Sequence, residues 1–310
     1  MLQVLIVVDV EGPSIEPEVT ALLPDQRDNR IVLRLTEHGA PRVERHGPGA
    51  QPIDWMRIGR AIEVVSQKLK EAVEASSGDT LHVYVAGTGP LPIFVHLGYA
   101  ISKFMGTQWV IGRRPGAAWE VLPLAADVPA SDLLTEVPLP ARPSPATGEV
   151  AVYLDVAARP LDADLLRAAV ELGGERLADV IELRPSGSIT MTSENTPALA
   201  FELTNRLAEL LALYPHRSAL GVFVAGPTVF ALAVGRALNP NIVGTVSLYQ
   251  HSPGRYDFVY ELPFVDYVRP SLPMDDASTQ GRADVREAVV RALDALKQEI
   301  VEADLDELIP

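Results

Sequence analysis

The sequence predicts an α/β fold made of two similar halves, each with a mostly parallel sheet covered by helices. Three observations predict it: apolar β-rich runs alternate with helical patterns, a Gly-Pro turn follows the third run of each half, and the halves align with one another. The 310 residues suit two domains of about 150 residues, and 47% hydrophobic residues can fill two cores. We place the halves at residues 1–145 and 146–310.

Each half opens with two predicted strands and a helix. The predicted strands are residues 5–10 and 31–34 in the first half and 150–156 and 180–184 in the second, and the helices are 55–73 and 197–213. The first strand of each half ends near an aspartate, Asp9 or Asp155. The second ends at an arginine, Arg34 or Arg184. The two halves therefore carry the same polar residue types at equivalent strand ends.

The third strand of each half leads directly into a Gly-Pro turn and a helix. Val83-Tyr84-Val85-Ala86-Gly87 matches Val222-Phe223-Val224-Ala225-Gly226, and Pro90, Gly98 and Trp119 recur as Pro227, Gly235 and Tyr256 at one constant offset. Two stretches that contain these strands and turns, residues 80–102 and 218–235, lack Asp, Glu, Lys and Arg, as membrane spans do. However, Gly-Pro interrupts each near its middle, so we interpret both as strand, turn and helix and expect no membrane contact.

Three further segments complete the predicted organisation. A β-hairpin follows each turn-bearing helix, with Pro115-Gly116 and Pro253-Gly254 at its turn. Prolines within residues 128–148 favour an extended connection between the halves. Residues 283–302 carry one apolar stripe, which predicts an amphipathic helix packed on its own domain, with an oligomer contact as the alternative.

Composition excludes several classes of function. There are 26 basic and 41 acidic residues, so the net charge of −15 argues against binding of duplex nucleic acid. A compact anionic ligand in a locally basic pocket remains compatible with it. The absence of cysteine excludes disulfides, thiolate zinc sites and a cysteine nucleophile. The N-terminus has no basic segment before its apolar run, so we expect no signal peptide and a cytoplasmic protein.

No complete catalytic or cofactor motif is visible. Gly87-Thr88-Gly89 begins like a dinucleotide fingerprint, but Pro92 stands where its last glycine would be, and neither a P-loop nor a Gly-x-Ser-x-Gly elbow occurs. Asp9 with Glu11, and Asp155, could hold a magnesium ion, although strand-end aspartates more often cap a turn. We expect no cofactor and no metal.

The candidate ligand site lies at the carboxyl ends of the predicted strands, where parallel sheets bind ligands. A helix that begins there offers N–H groups and the positive end of its dipole to an anion, and a tight turn without a ligand is the alternative. Proline at the first helical position lacks only an N–H that would be unpaired. Trp119 and Tyr256 could stack on purines or belong to the core. The candidate residues are Gly87, Thr88, Gly89, Pro90, Gly226, Pro227, Thr228, Asp9, Arg34, Arg113, Arg114, Arg184, Arg236, Arg255, Trp119, Tyr249 and Tyr256.

Residues around the first turn resemble a known family. His82-Val83-Tyr84-Val85-Ala86-Gly87-Thr88-Gly89-Pro90-Leu91-Pro92, with His96-Leu97-Gly98-Tyr99 and Trp119, is similar to the first half of the SAVED domain. Val222-Phe223-Val224-Ala225-Gly226-Pro227 and Gly235-Arg236 resemble its second half. The resemblance implies two fused CARF-like, Rossmann-like units. It also implies recognition of a cyclic oligonucleotide, such as cyclic tri- or tetra-adenylate, in bacterial anti-phage defence of the CBASS or type III CRISPR kind.

The resemblance also carries expectations about partners. Family members usually bear an effector domain and often assemble head to tail on ligand binding. After two halves and one terminal helix we expect no room for an effector, which implies a stand-alone sensor, a separate effector protein and a ligand-induced homo-oligomer. Two alternatives remain open: a ring nuclease that cleaves the messenger, and an interaction scaffold whose crevice is vestigial.

Overall fold

A computed structural model describes most of both halves. The described residues are 2–12, 15–23, 30–43, 52–75, 81–104, 107–113, 119–124, 134–136, 147–156, 162–172, 175–184, 189–193, 195–238 and 244–265. The predicted terminal helix at 283–302 and most of the proline-rich connection lie outside them. Within the described part, the chain is an α/β protein with two sheets.

The first sheet, sheet 1, consists of β1 (Leu2–Val8), β2 (Arg30–Arg34), β3 (Leu81–Gly87), β4 (Thr107–Arg113) and β5 (Trp119–Pro123). The second, sheet 2, consists of β6 (Thr135–Glu136), β7 (Gly148–Asp155), β8 (Leu177–Arg184), β9 (Arg217–Ala225), β10 (Val246–Ser252) and β11 (Arg255–Leu262). The helices are α1 (Glu16–Thr20), α2 (Trp55–Ala75), α3 (Leu91–Ile101), α4 (Ala163–Leu172), α5 (Asn195–Leu213) and α6 (Thr228–Ala237).

The two sheets share one topology, which confirms the predicted fold class. Their strand orders are β2-β1-β3-β4-β5 and β11-β10-β9-β7-β8-β6. In each sheet four strands pair in parallel, and the hairpin strand, β5 or β11, closes one edge in antiparallel. The carboxyl ends of the parallel strands in each sheet therefore lie at one edge, as expected for a ligand-binding fold of this class.

A described piece of the connection between the halves, residues 135–136, belongs to sheet 2. β6 precedes the predicted boundary at residue 145, yet it pairs in antiparallel with the end of β8. Leu134, just before β6, is buried, and its N–H donates to Glu202 Oε1 of α5 at 2.9 Å. Sheet 2 thus begins earlier in the chain than the proline pattern predicts, because a buried leucine and a buried carboxylate anchor this segment.

A single large hydrophobic cluster joins the halves, where the sequence suggested two cores. Val4 and Ile6 of β1 and Val150 and Val152 of β7 all belong to it. Side chains alternate along a strand, so the intervening residues of each sheet face outward. Smaller clusters cover these outer faces under α1 and α4. The helices α2, α3, α5 and α6 therefore pack between the sheets, and α3 and α6 each contact a strand of the other sheet.

The helices α3 and α6 cross in backbone contact at the glycines that the repeat makes equivalent. A Cβ atom at Gly98 would overlap the carbonyl oxygen of Leu232, and one at Gly235 would overlap that of Val95. Only glycine allows backbones to approach so closely. This crossing joins the two halves directly. Although both helices are apolar, no described helix has the length and hydropathy needed to cross a membrane.

Candidate ligand-binding site

The first Gly-Pro turn lies at the carboxyl edge of sheet 1, against the residues that follow β1. The N–H of Thr88 donates to the Val8 carbonyl at 3.2 Å, and its hydroxyl donates to the Glu11 carbonyl at 2.8 Å. A Cβ atom at Gly87 would overlap the Val8 carbonyl oxygen. Gly87 is therefore required by the close approach of β1, and Thr88 is exposed beside it.

The second turn repeats this arrangement in sheet 2. The N–H of Val156, which follows β7, donates to the carbonyl of Ala225 at 3.2 Å. A Cβ atom at Gly226 would lie 2.8 Å from Val156 Cγ2. Pro227 is exposed and Thr228 is half-buried. Both turns thus occupy the edge at which the sequence placed them.

The prolines of these turns cap the helices, which corrects the prediction that they occupy the first helical position. Pro90 and Pro227 are the N-cap residues of α3 and α6, with ψ angles of 139° and 161°. An N-cap residue has non-helical ψ, and its own N–H is not needed by the helix, so proline fits there. The first helical residues are Leu91 and Thr228.

The two helix starts differ in the hydrogen-bond donors that they offer. In α6 the N–H of Phe230 donates to the Pro227 carbonyl at 3.0 Å, so the N–H groups of Thr228 and Val229 precede the first intrahelical bond. In α3 the second helical residue is Pro92, which has no N–H. The beginning of α6 is therefore the better anion site of the two, since N–H groups there coincide with the positive end of the dipole.

Three predicted arginines are held by carboxylates. Arg34 Nε and Nη2 pair with Glu16 at 2.5 and 2.7 Å and Nη1 pairs with Glu37 at 2.5 Å, which raises the pKa of Arg34 further above its usual value. Arg184 pairs with Glu182 at 3.2 Å and Arg255 with Asp257 at 2.8 Å. A phosphate would have to compete with these carboxylates for each guanidinium.

Arg236 does not lie at the ligand edge, so that part of the prediction is wrong. It occupies the last turn of α6, and a helix advances about 1.5 Å per residue, so the ten residues of α6 carry it away from Pro227. Its Nη1 donates to the carbonyl of Leu124, which follows β5, at 2.7 Å. Burial lowers the pKa of Arg236 from its usual value. The arginine ties α6 to the first half.

Arg113 ends β4, but its side chain and all of Arg114 lie outside the described part of the chain.

The predicted aromatic residues lie on the outer faces of the sheets. Trp119 packs in the outer cluster of sheet 1, and its Nε1–H donates to Glu18 of α1 at 2.7 Å. Tyr256 packs edge-on against Phe223 in the outer cluster of sheet 2, with ring centroids 5.0 Å apart. Trp119 and Tyr256 therefore pack in hydrophobic clusters, which was the alternative to stacking on purines.

Tyr249 is a core residue, which corrects its assignment to the ligand site. It is 4% exposed and stacks on Phe223 with centroids 4.2 Å apart. Its hydroxyl donates to Glu149 Oε1 at 2.8 Å. Glu149 is itself fully buried and also accepts from the Ser247 hydroxyl at 3.1 Å. Tyr249 thus provides a hydrogen bond to a buried carboxylate at the beginning of β7.

This buried carboxylate makes stability depend on pH. Burial raises the pKa of Glu149 to about 7 from an ordinary value of 4.5. Folding therefore favours the protonated form, and stability falls as the pH rises from 4.5 through 7. We expect Glu149→Gln to be more stable than the wild type by about 2 kcal/mol at pH 8 and by little at pH 5, as measured by urea unfolding. A difference that is the same at both pH values would contradict the buried ionisation.

The strand-end aspartates have structural partners. The carboxylate of Asp9 accepts from the N–H of Thr36 at 3.1 Å and from the Thr36 hydroxyl, which joins the ends of β1 and β2. Asp155 is fully buried and accepts from the Tyr153 hydroxyl at 3.3 Å. Asp9 therefore caps the short 3-10 helix that follows β2, not a turn directly after its own strand. Among the described residues, no group of three His, Asp or Glu side chains is placed to hold a metal ion.

Sequence reasoning missed one polar cluster. His96 of α3 is fully buried, with Nδ1 2.9 Å from the Tyr260 hydroxyl and Nε2 3.0 Å from Glu63 Oε1. A histidine in an otherwise apolar helix is the only signal that the sequence offers. Its partners come from α2 and β11, so no local spacing connects them.

The sequence also matches a known family in the part that forms this fold. A model of the SAVED family, described as the SMODS-associated and fused to various effectors sensor domain, matches residues 63–262. The chain belongs to the SAVED family. The match begins within α2, ends with β11 and includes both Gly-Pro turns. The strands β1 and β2 of sheet 1 lie before the match. No curated protein sequence matches the chain.

Solved structures share the SAVED fold with this chain. One is the Acinetobacter baumannii Cap4 SAVED/CARF-domain receptor with the cyclic trinucleotide 2'3'3'-cAAA, with a TM-score of 0.54 and 16% identity over 82% of this chain and 50% of that chain. The same receptor with 3'3'3'-cAAA gives a TM-score of 0.51 and 15% identity over 83% and 51%. The chain spans about half the length of these receptors, and the likeness concerns the fold.

Proposed function

We propose that this SAVED protein is a sensor that binds a cyclic oligoadenylate of three or four nucleotides between its two halves. The observation that carries the proposal is the position of the Gly-Pro turns. Both lie within the family match, at the carboxyl edges of two equivalent sheets, and the helices that begin at them pack against each other. The cyclic trinucleotides bound by the Cap4 receptors support a ligand of this class.

The chemistry of the turns suits phosphate groups. The N–H groups of Thr228 and Val229 at the start of α6 can donate to phosphate oxygens. Thr88 is exposed at the equivalent edge of sheet 1, and its hydroxyl would have to leave the Glu11 carbonyl to donate to a phosphate. We propose that residues 87–90 and 226–228 form the contacts. We also propose, from the sequence alone, that Arg113 and Arg114 supply positive charge to the ligand. Such local donors are needed because the chain as a whole repels anions.

Isothermal titration tests the proposal directly. The 310-residue chain is titrated with 3'3'3'-cAAA, 2'3'3'-cAAA and cyclic tetra-adenylate, and linear tri-adenylate serves as the control for ring recognition. We expect saturable binding of at least one cyclic ligand and weaker binding of the linear one. Chromatography of the recovered ligand then separates binding from cleavage. No binding of any cyclic oligonucleotide would reject the sensor.

We further propose that the bound ligand drives assembly of the sensor and that the assembly activates a separate effector protein in anti-phage defence. The family description, a sensor fused to various effectors, supports a link to an effector. We expect the mass measured by light scattering to increase when saturating cyclic ligand is added, and to stay constant with the linear control. A constant mass at saturation would remove assembly from the proposal without affecting ligand binding.

A further inference from the structure

Three polar side chains form a hydrogen-bonded chain across the interface between the halves. His96 of α3 is fully buried between Glu63 of α2, at 3.0 Å, and Tyr260 of β11, at 2.9 Å. Tyr260 is 4% exposed, whereas Glu63 reaches the surface with 39% of its side chain exposed. Two members come from the first half and one from the second. These hydrogen bonds thus join the two halves through polar groups, as the bond from Arg236 to the Leu124 carbonyl also does.

One protonation state satisfies all three groups. Burial lowers the pKa of His96, so its ring is neutral, with one nitrogen that donates and one that accepts. The Glu63 carboxylate only accepts, so Nε2 carries the proton. Nδ1 then accepts from the Tyr260 hydroxyl. A displacement of β11 relative to α3 would leave the tyrosine hydroxyl and Nδ1 buried without a partner, which costs free energy.

The surrounding packing is specific to this side of the interface. The Phe264 ring lies against Tyr260, with centroids 5.1 Å apart, and occupies the space that a Cβ atom at Gly59 would fill. Gly59 lies one turn before Glu63 on α2. The same face of α2 therefore contacts the Phe264 ring at Gly59 and the His96 ring at Glu63. The position in α6 equivalent to His96 is Ala233, which is buried and has no polar group. The polar contact that α6 makes with the first half comes from Arg236, which donates to the Leu124 carbonyl.

We infer that the Tyr260–His96–Glu63 chain is a positioning device that holds β11 against α2 and α3 in one orientation and thereby sets the shape of the ligand-binding crevice. The inference rests on the proposed function only for its effect on ligand affinity. The three residues do not contact the ligand. A crevice that is held in its binding shape pays less conformational cost when the ligand binds, so loss of the chain weakens binding.

Tyr260→Phe tests the inference, because it removes one hydroxyl and keeps the ring. Two quantities are measured at a temperature well below unfolding: affinity for 3'3'3'-cAAA and amide hydrogen exchange of α3 and β11 without ligand. We expect exchange in both elements to rise about five-fold and affinity to fall about five-fold. The matched control is Tyr214→Phe, which removes the buried hydroxyl that donates to Asp179 at 2.5 Å within the second half. It should lower stability and change neither quantity.

A second pair of variants acts at the exposed end of the chain, where folding is not at risk. Glu63→Gln keeps an oxygen that accepts from Nε2 and should behave as the wild type, whereas Glu63→Ala should follow Tyr260→Phe. Unchanged exchange in Tyr260→Phe and Glu63→Ala, or an equal loss of affinity in Tyr214→Phe, would overturn the inference. If the wild type binds no cyclic ligand, the proposed function fails, and the exchange measurements alone decide the positioning role.

Discussion

Thr228→Glu is expected to lower affinity for a cyclic oligoadenylate about 100-fold while leaving the protein folded. Thr228 is the first residue of α6 and is half-buried beside Pro227. A carboxylate there would face the position proposed for a ligand phosphate, and like charges in contact cost several kcal/mol. The same carboxylate favours the helix, since an acidic residue at a helix N-terminus stabilises it by about 0.3–1 kcal/mol. Titration calorimetry and thermal unfolding together measure both effects.

Two controls isolate the position of that charge. Thr228→Gln adds similar bulk without charge and should bind much more tightly than Thr228→Glu. Ala163→Glu adds the same charge at the exposed first residue of α4, on the outer side of sheet 2, and should bind as the wild type does. Binding by Thr228→Glu at wild-type affinity would exclude the start of α6 from the site.

Gly235→Ala is expected to destabilise the fold by about 3 kcal/mol or more, because its Cβ atom would overlap the Val95 carbonyl oxygen across the crossing of α3 and α6. The Val95 backbone cannot change rotamer as a side chain can. The two halves would therefore have to separate locally. Urea unfolding measures the loss. An unchanged or higher midpoint would show that the helices do not cross at these glycines.

Gly59→Ala is the matched control for this variant. Gly59 is also a glycine inside a helix, so both variants gain about 1 kcal/mol of helix propensity. Its Cβ atom would meet the ring of Phe264, a side chain that can shift. We therefore expect a smaller loss than in Gly235→Ala. The comparison separates a backbone collision from general crowding.

The duplicated fold was predictable because its signals are local. Alternation of strands and helices and the Gly-Pro turns appear directly in the residue pattern, and the turns lie at the expected sheet edges. The equivalence of Gly98 and Gly235 was also visible. Its meaning was not, because a backbone contact between two helices leaves no trace in the spacing within either helix. The same reason concealed the single core that joins the halves.

The candidate site was predicted less well, since proximity to a strand end does not tell which way a side chain points. Arg34 is adjacent to Leu33, yet the leucine belongs to the core between the sheets while the arginine pairs with Glu16 of α1. Tyr249 is one of the candidate ligand residues, but its hydroxyl donates to the buried Glu149. Arg236 follows the turn in sequence but lies at the far end of α6. The errors for Arg34 and Tyr249 concern partners distant in the chain, whereas the error for Arg236 follows from the length of α6.

A crystal structure of the chain with bound 3'3'3'-cAAA tests the central claim most directly. We expect one ligand between the halves, with phosphate oxygens about 3 Å from donors in both Gly-Pro turns, residues 87–90 and 226–228. A ligand that contacts only one turn, or that binds on the outer face of either sheet, would contradict it.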